Sequence, residues 1–188
     1  MLSSYLRLLC TLLFCAGTAP GLRAADHALS EVRRILFLGD SITYSGELVD
    51  HFEAFLLTRF PDRKFEVINV GLPGETVAGL SEPGHGNGRF PRPALHERLD
   101  RVLAKTQPEL VFACYGMNDG LYQPLNEAHF ARFRDGVRLL RKKVTRSGTR
   151  IVHLTPPPFD PGPRPNGPSY DKTLEAYSQW LVAQRQHG

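Results

Sequence analysis

Hydrophobic positions along this chain alternate between two kinds of run. Short β-rich stretches have the length and composition of strands: RILFL at 34–38, FEVINV at 65–70, LVFACY at 110–115 and RIVHL at 150–154. The first is apolar on both sides, which suits a strand buried on two faces. Between these stretches the spacing turns helical. Residues 48–60 keep that spacing until Pro61 stops it. Residues 94–105 put Leu95, Leu99, Val102 and Leu103 on one face, and 127–144 align Phe130, Phe133, Val137 and Leu140. A last helical segment covers 170–186.

The predicted order is β-α-β-loop-α-β-α-β-α. Strands that alternate with amphipathic helices imply a single α/β domain whose parallel sheet is covered on both faces. In such a sheet the functional loops lie at the carboxyl ends of the strands. Two stretches break the alternation. Residues 82–93 (EPGHGNGRFPRP) hold three glycines and three prolines and predict a surface loop. Residues 155–169 form a proline-rich loop, expected to shape a pocket wall.

The first 25 residues read differently from the rest, as a signal peptide. Arg7 supplies a positive start, and 8–16 (LLCTLLFCA) form an apolar run too short to span a bilayer. Pro20 and Gly21 break it, and Ala24 or Ala25 sits at the expected cleavage point. The expectation is an exported protein, with the domain at 26–188. Cys10 and Cys15 fall within the leader, so Cys114 alone remains and no internal disulfide forms. Within an apolar strand, Cys114 reads as a small buried hydrophobe rather than a nucleophile. The net charge of +4 includes Arg7 and Arg23 of the leader, which leaves little attraction for a polyanion. Arg141, Lys142 and Lys143 read as the wet face of a helix, and no nucleic-acid partner is expected.

Three polar clusters follow three of the strands directly. Gly39-Asp40-Ser41-Ile42-Thr43 follows the first. A serine at a strand-to-helix turn presents its hydroxyl above the sheet, near backbone N–H groups able to face a developing oxyanion. Asn69-Val-Gly71-Leu-Pro-Gly74-Glu75-Thr76 follows the second, and Gly74 lets the backbone approach a bound group. Gly116-Met117-Asn118-Asp119 follows the third, where a side-chain amide can donate to an oxyanion. Each has an ordinary reading when taken alone: a capped turn, a glycine turn and a polar turn. Three in a row at strand ends point to a site.

The runs FLGDSIT at 37–43, NVGLPGET at 69–76 and YGMND at 115–119 together resemble the SGNH hydrolases, also called GDSL-type esterases and lipases. The resemblance covers essentially all of 26–188. It implies a flavodoxin-like three-layer sandwich and hydrolysis of carboxylic esters through a serine acyl-enzyme, with no metal or other cofactor. By this resemblance Ser41 is the nucleophile. The oxyanion hole comprises the backbone N–H groups of Ser41 and Gly74 and the side-chain amide of Asn118. Asp40 and Asp119 are supporting residues that hold loops. The substrate is a small-molecule or polysaccharide ester.

The family also places an Asp-x-x-His block after a further strand, and no Asp-x-x-His occurs in these 188 residues. The expectation is therefore a domain whose last strand and general base are missing from this chain. His153 reads as a packed strand residue, His51 and His129 as helical, His96 as a helix flank and His187 as nearly terminal. His85, in the 82–93 loop, could approach the site, but all of these histidines read as poor substitutes for the missing base.

The histidines show no metal-ligand spacing, and Gly71-Leu-Pro-Gly74 lacks the Lys-Ser or Lys-Thr of a phosphate loop. Two rival readings stand beside the esterase: a carbohydrate- or lipid-binding domain that kept the pocket and lost the base, and a truncated product without a stable fold.

Overall fold

The structure, a computed structural model, describes residues 29–159 and 170–187. The chain divides into two units, Met1–Glu31 and Val32–Gly188. Of the first, residues 29–31 are described, as a short turn. The expected leader at 1–25 lies outside the described residues, as do 160–169 of the proline-rich loop.

In the second unit four parallel strands form one sheet in the order β2-β1-β3-β4: β1 Arg34–Gly39, β2 Glu66–Asn69, β3 Leu110–Cys114 and β4 Arg150–Leu154. The helices between them are α1 Ser41–Tyr44, α2 Glu47–Arg59, α3 Leu95–Thr106, α4 Glu127–Thr145 and α5 Asp171–Ala183. A short 3₁₀ turn, Gln184–His187, follows α5. The strands and helices expected from the sequence are all present, within a few residues at each end. The 82–93 loop holds only the short 3₁₀ turn His85–Gly88.

Alternation along the strands divides the core into two layers. On one face Phe37 of β1 and Phe112 of β3 are register partners, and their rings stack 5.0 Å apart. Phe52 of α2 meets both edge-on, at 5.4 and 5.1 Å. On the other face Leu36, Leu38, Val111 and Ala113 are buried with Leu95 and Leu99 of α3, Phe133, Val137 and Leu140 of α4, and Tyr177 of α5. Each fully buried Leu or Phe contributes roughly 1.5–3 kcal/mol by leaving water. The result is a three-layer α/β sandwich.

Local chemistry sets the helix ends. The Asn126 side chain accepts from the Ala128 and His129 N–H groups and so starts α4. Gln107 adopts a left-handed φ of 44° after α3, and Pro108 then prevents any continuation. Because β1 leads to β2 on one side and β3 lies on the other, the strand order reverses at β1. A crevice opens above the carboxyl ends at such a point.

Candidate active site

Ser41 sits immediately beyond β1, at the start of the four-residue helix α1, and is exposed. Asp40 before it is buried, and its Oδ1 accepts from the Ile42 N–H at 3.0 Å, which caps the turn. The tight turn requires glycine at its base: a Cβ on Gly39 would stand 2.0 Å from Thr43 Oγ1.

The glycine segment after β2 is bound to this turn. Asn69 Nδ2 donates to the Thr43 carbonyl at 2.8 Å, while Asn69 Oδ1 accepts from the Gly71 N–H at 2.9 Å. Leu72 N–H donates to the Gly39 carbonyl. Gly74 then takes a φ of +79°, a conformation L side chains rarely adopt.

Asn118, in the loop after β3, is buried. Its Nδ2 donates to the Glu75 carbonyl at 3.2 Å and, more weakly, to Asp40 Oδ2 at 3.4 Å. Its Oδ1 accepts from Arg92 Nη1 and from the Tyr122 hydroxyl, both at 3.0 Å. Asp119 is fully buried, and its Oδ1 accepts from the Ala78 N–H at 2.8 Å, tying the third loop to the second. Ser41, Gly74 and Asn118 thus stand on three loops that cross-links draw to one end of the sheet.

Burial dominates the electrostatics. It pushes the Asp40 carboxyl up to about 6, and the neighbouring Glu75 adds to this. It pushes the Asp119 carboxyl up to about 7, again with a smaller contribution from a neighbouring carboxylate, Asp40. Two buried carboxyls that resist ionisation are therefore the supports on which the serine and asparagine loops rest.

The histidines fall where the sequence suggested. His153 is packed in β4, and burial lowers it to about 4. His51 Nδ1 bonds the Glu47 carbonyl on α2, His96 Nε2 bonds the Gly136 carbonyl, and His129 lies on α4. His85 does reach the rim. Its Nε2 lies 3.3 Å from where a Gly74 Cβ would be, and its Nδ1 lies 3.5 Å from Glu82 Oε1. Cys114 is buried, with its thiol pushed up to about 12, and is no nucleophile.

Two side chains beside these loops were given no role of their own by the sequence reading. One is Arg92, whose Nη1 bonds Asn118. The other is Glu75, fully buried, which accepts from Arg98 Nε and Nη2 at 2.6 and 2.7 Å and from the Tyr115 hydroxyl at 2.6 Å. Arg98 also donates to the Val70 carbonyl, so this network fastens the glycine segment to α3 and β3. Among the described residues, no group of three or more His, Cys, Asp or Glu is arranged to hold a metal ion, and no helix is long and apolar enough to cross a membrane.

Comparison with known proteins came to the same part of the chain. The GDSL-like Lipase/Acylhydrolase family matches residues 37–187. No curated protein gave a significant match. Among solved structures, an acetylxylan esterase from Geobacillus stearothermophilus is similar with a TM-score of 0.61 at 19% identity, covering 82% of this chain and 72% of that one. The acetyl xylan esterase AlAXEase gives 0.60 at 17% identity, over 82% and 73% of the two chains. A gut microbial diltiazem-metabolizing enzyme gives 0.58 at 24% identity, over 83% of this chain and 34% of its own. These likenesses establish a shared fold.

Proposed function

The chain belongs to the GDSL-like lipase/acylhydrolase family, and we propose that it hydrolyses carboxylic esters through an acyl-enzyme formed on Ser41. The observation that carries this reading is the convergence of exposed Ser41, left-handed Gly74 and buried Asn118 above the ends of three neighbouring strands.

In this reading Ser41 Oγ attacks the ester carbonyl carbon. The new C–O bond places negative charge on the former carbonyl oxygen, and the N–H groups of Ser41 and Gly74 and Asn118 Nδ2 stabilise it. The alcohol leaves with the proton taken from Ser41. Water then attacks the acyl-enzyme and frees the acid. The Glu75 carbonyl holds one N–H of Asn118, whereas the 3.4 Å contact to Asp40 is long and yields its N–H to the oxyanion.

A serine hydroxyl needs a proton acceptor. His85 is the imidazole on this rim. With Nδ1 protonated toward Glu82, its Nε2 carries the lone pair toward the Gly74 side. Acetylated polysaccharide is the first substrate class to try, because the similar solved structures include acetyl xylan esterases. One other reading stands beside it, a domain of this fold that binds such esters without cleaving them.

Turnover of 4-nitrophenyl acetate and acetate release from acetylated xylan test the proposal. Ser41→Ala is expected to lower both by at least about 10³-fold. A folded Ser41→Ala protein that matches wild type sinks it. Saturable binding of acetylated xylan with no acetate release identifies the binding domain. Loss of turnover in Ser41→Ala but not in His85→Ala locates the proton acceptor outside the 82–93 loop.

A further inference from the structure

We propose that Arg92 is a positioning residue that fixes which way the Asn118 amide faces, and so aims its N–H groups at the oxyanion; this rests on the acyl-enzyme reading above. An amide side chain has two nearly isosteric ends, one a pure donor and one a pure acceptor. Which end faces the substrate decides whether an oxyanion is stabilised or repelled. Arg92 Nη1 lies 3.0 Å from one of those ends, and a guanidinium offers only donors. That end must be Oδ1. Nδ2 is thereby turned toward the Glu75 carbonyl and Asp40, the side on which Ser41 lies.

Arg92 is built for this task. It is 9% exposed. Glu82 takes its Nε and Nη2 in a two-pronged pair at 2.6 and 2.7 Å, which leaves Nη1 for Asn118 and, at 3.4 Å, the Gly74 carbonyl. One guanidinium therefore touches two of the three expected oxyanion-hole residues. Its backbone is held as well. Arg92 N–H donates to Ser81 Oγ, and the segment after it is fixed to Thr76, whose N–H donates to Pro93 O and whose carbonyl accepts from the Leu95 N–H.

Tyr122 completes the arrangement. Its hydroxyl is the second donor to Asn118 Oδ1, and its ring lies 5.6 Å from the Arg92 guanidinium carbon. It does so from a left-handed backbone: Leu121 and Tyr122 have φ of 53° and 55°, and neither is glycine. Two consecutive such residues are uncommon and costly, and they are kept where surrounding contacts over-determine them.

The test uses the full chain with Arg92→Met, Arg92→Lys, Tyr122→Phe, Asn118→Ala and the Arg92→Met/Asn118→Ala double variant, each checked by circular dichroism and melting. On 4-nitrophenyl acetate, Arg92→Met is expected to lower kcat by about tenfold or more and KM by less than about threefold, the pattern of a transition-state interaction. Arg92→Lys should fall between it and wild type. A lone ammonium cannot hold Glu82 and Asn118 in the same fixed plane. Tyr122→Phe should have the smaller effect, because Arg92 alone still forbids the flip. The double variant should be no slower than Asn118→Ala, since Arg92 acts through that residue. Effects that simply multiply overturn the proposal.

A second readout needs no turnover. The side-chain amide signals of Asn118, assigned in ¹⁵N-labelled protein by their loss in Asn118→Ala, should shift or merge in Arg92→Met or, if that variant does not fold, in Arg92→Lys. Unmoved signals overturn the proposal. If Ser41→Ala leaves turnover intact, the acyl-enzyme reading fails, and the amide signals still judge Arg92.

Discussion

Gly136 of α4 lies against the main chain of Val77, so close that a Cβ at residue 136 would stand 2.2 Å from the Val77 carbonyl oxygen. This contact lets α4 settle onto the segment that follows the glycine loop. In an ordinary helix interior, replacing glycine with alanine stabilises by about 0.5–1 kcal/mol. Here the sign should reverse. Gly136→Ala is expected to cost about 1–3 kcal/mol through overpacking against rigid backbone, read from the shift in urea midpoint. A higher midpoint would show that the contact relaxes freely.

Asn118→Ala should lower kcat by about 10²–10³-fold if its amide stabilises an oxyanion. It should also destabilise the fold, because Arg92 and Tyr122 both lose an acceptor. Comparing kcat with the fraction folded at the assay temperature separates the two. A folded variant within twofold of wild type would remove Asn118 from the hole.

Asp119 predicts a dependence of stability on pH. Its folded-state value of about 7 lies above the ordinary 3.8, so the folded protein holds this proton more tightly than the unfolded chain. Its stabilising contribution is therefore full below about pH 4 and is lost as the pH rises through about 7. Asp40, raised to about 6, acts in the same direction. Asp119→Asn should flatten the stability profile across that window by up to a few kcal/mol, measured by denaturant unfolding at a series of pH values. An unchanged slope would contradict the assignment.

Glu75→Gln should leave the Arg98 charge without its partner while keeping the shape of the side chain. Breaking a buried pair in this way costs about 3–5 kcal/mol, and the partial exposure of Arg98 favours the lower end. Turnover should fall at temperatures well below the melting point, because the Glu75 carbonyl orients Asn118 and the same residue anchors the loop. Full activity up to the melting transition would show that the network serves stability alone.

Much of this was readable from residue order. Strand and helix runs differ in period, and period survives in a single sequence: RIVHL at 150–154 became β4 without a residue's change. The loops that carry Ser41, Gly74 and Asn118 were legible because each loop begins at the end of a strand, and parallel strands bring their ends together. Arg92 was not. It lies in a loop with no period, 18 residues from Gly74 and 26 from Asn118, and its role depends on three-dimensional closure. Glu75 and Gly136 were hidden for related reasons. A lone glutamate gives no hint of full burial, and a helical glycine does not reveal the backbone it faces.

The buried thiol of Cys114 gives the molecule a clock. Within 26–188 it is the lone cysteine, and it ends β3, which pairs with both β1 and β4. With its thiolate disfavoured, it reacts with a disulfide reagent only when that part of the sheet opens. The labelling rate of this single sulfur, followed across temperature, would therefore count the excursions in which the floor beneath the crevice comes apart.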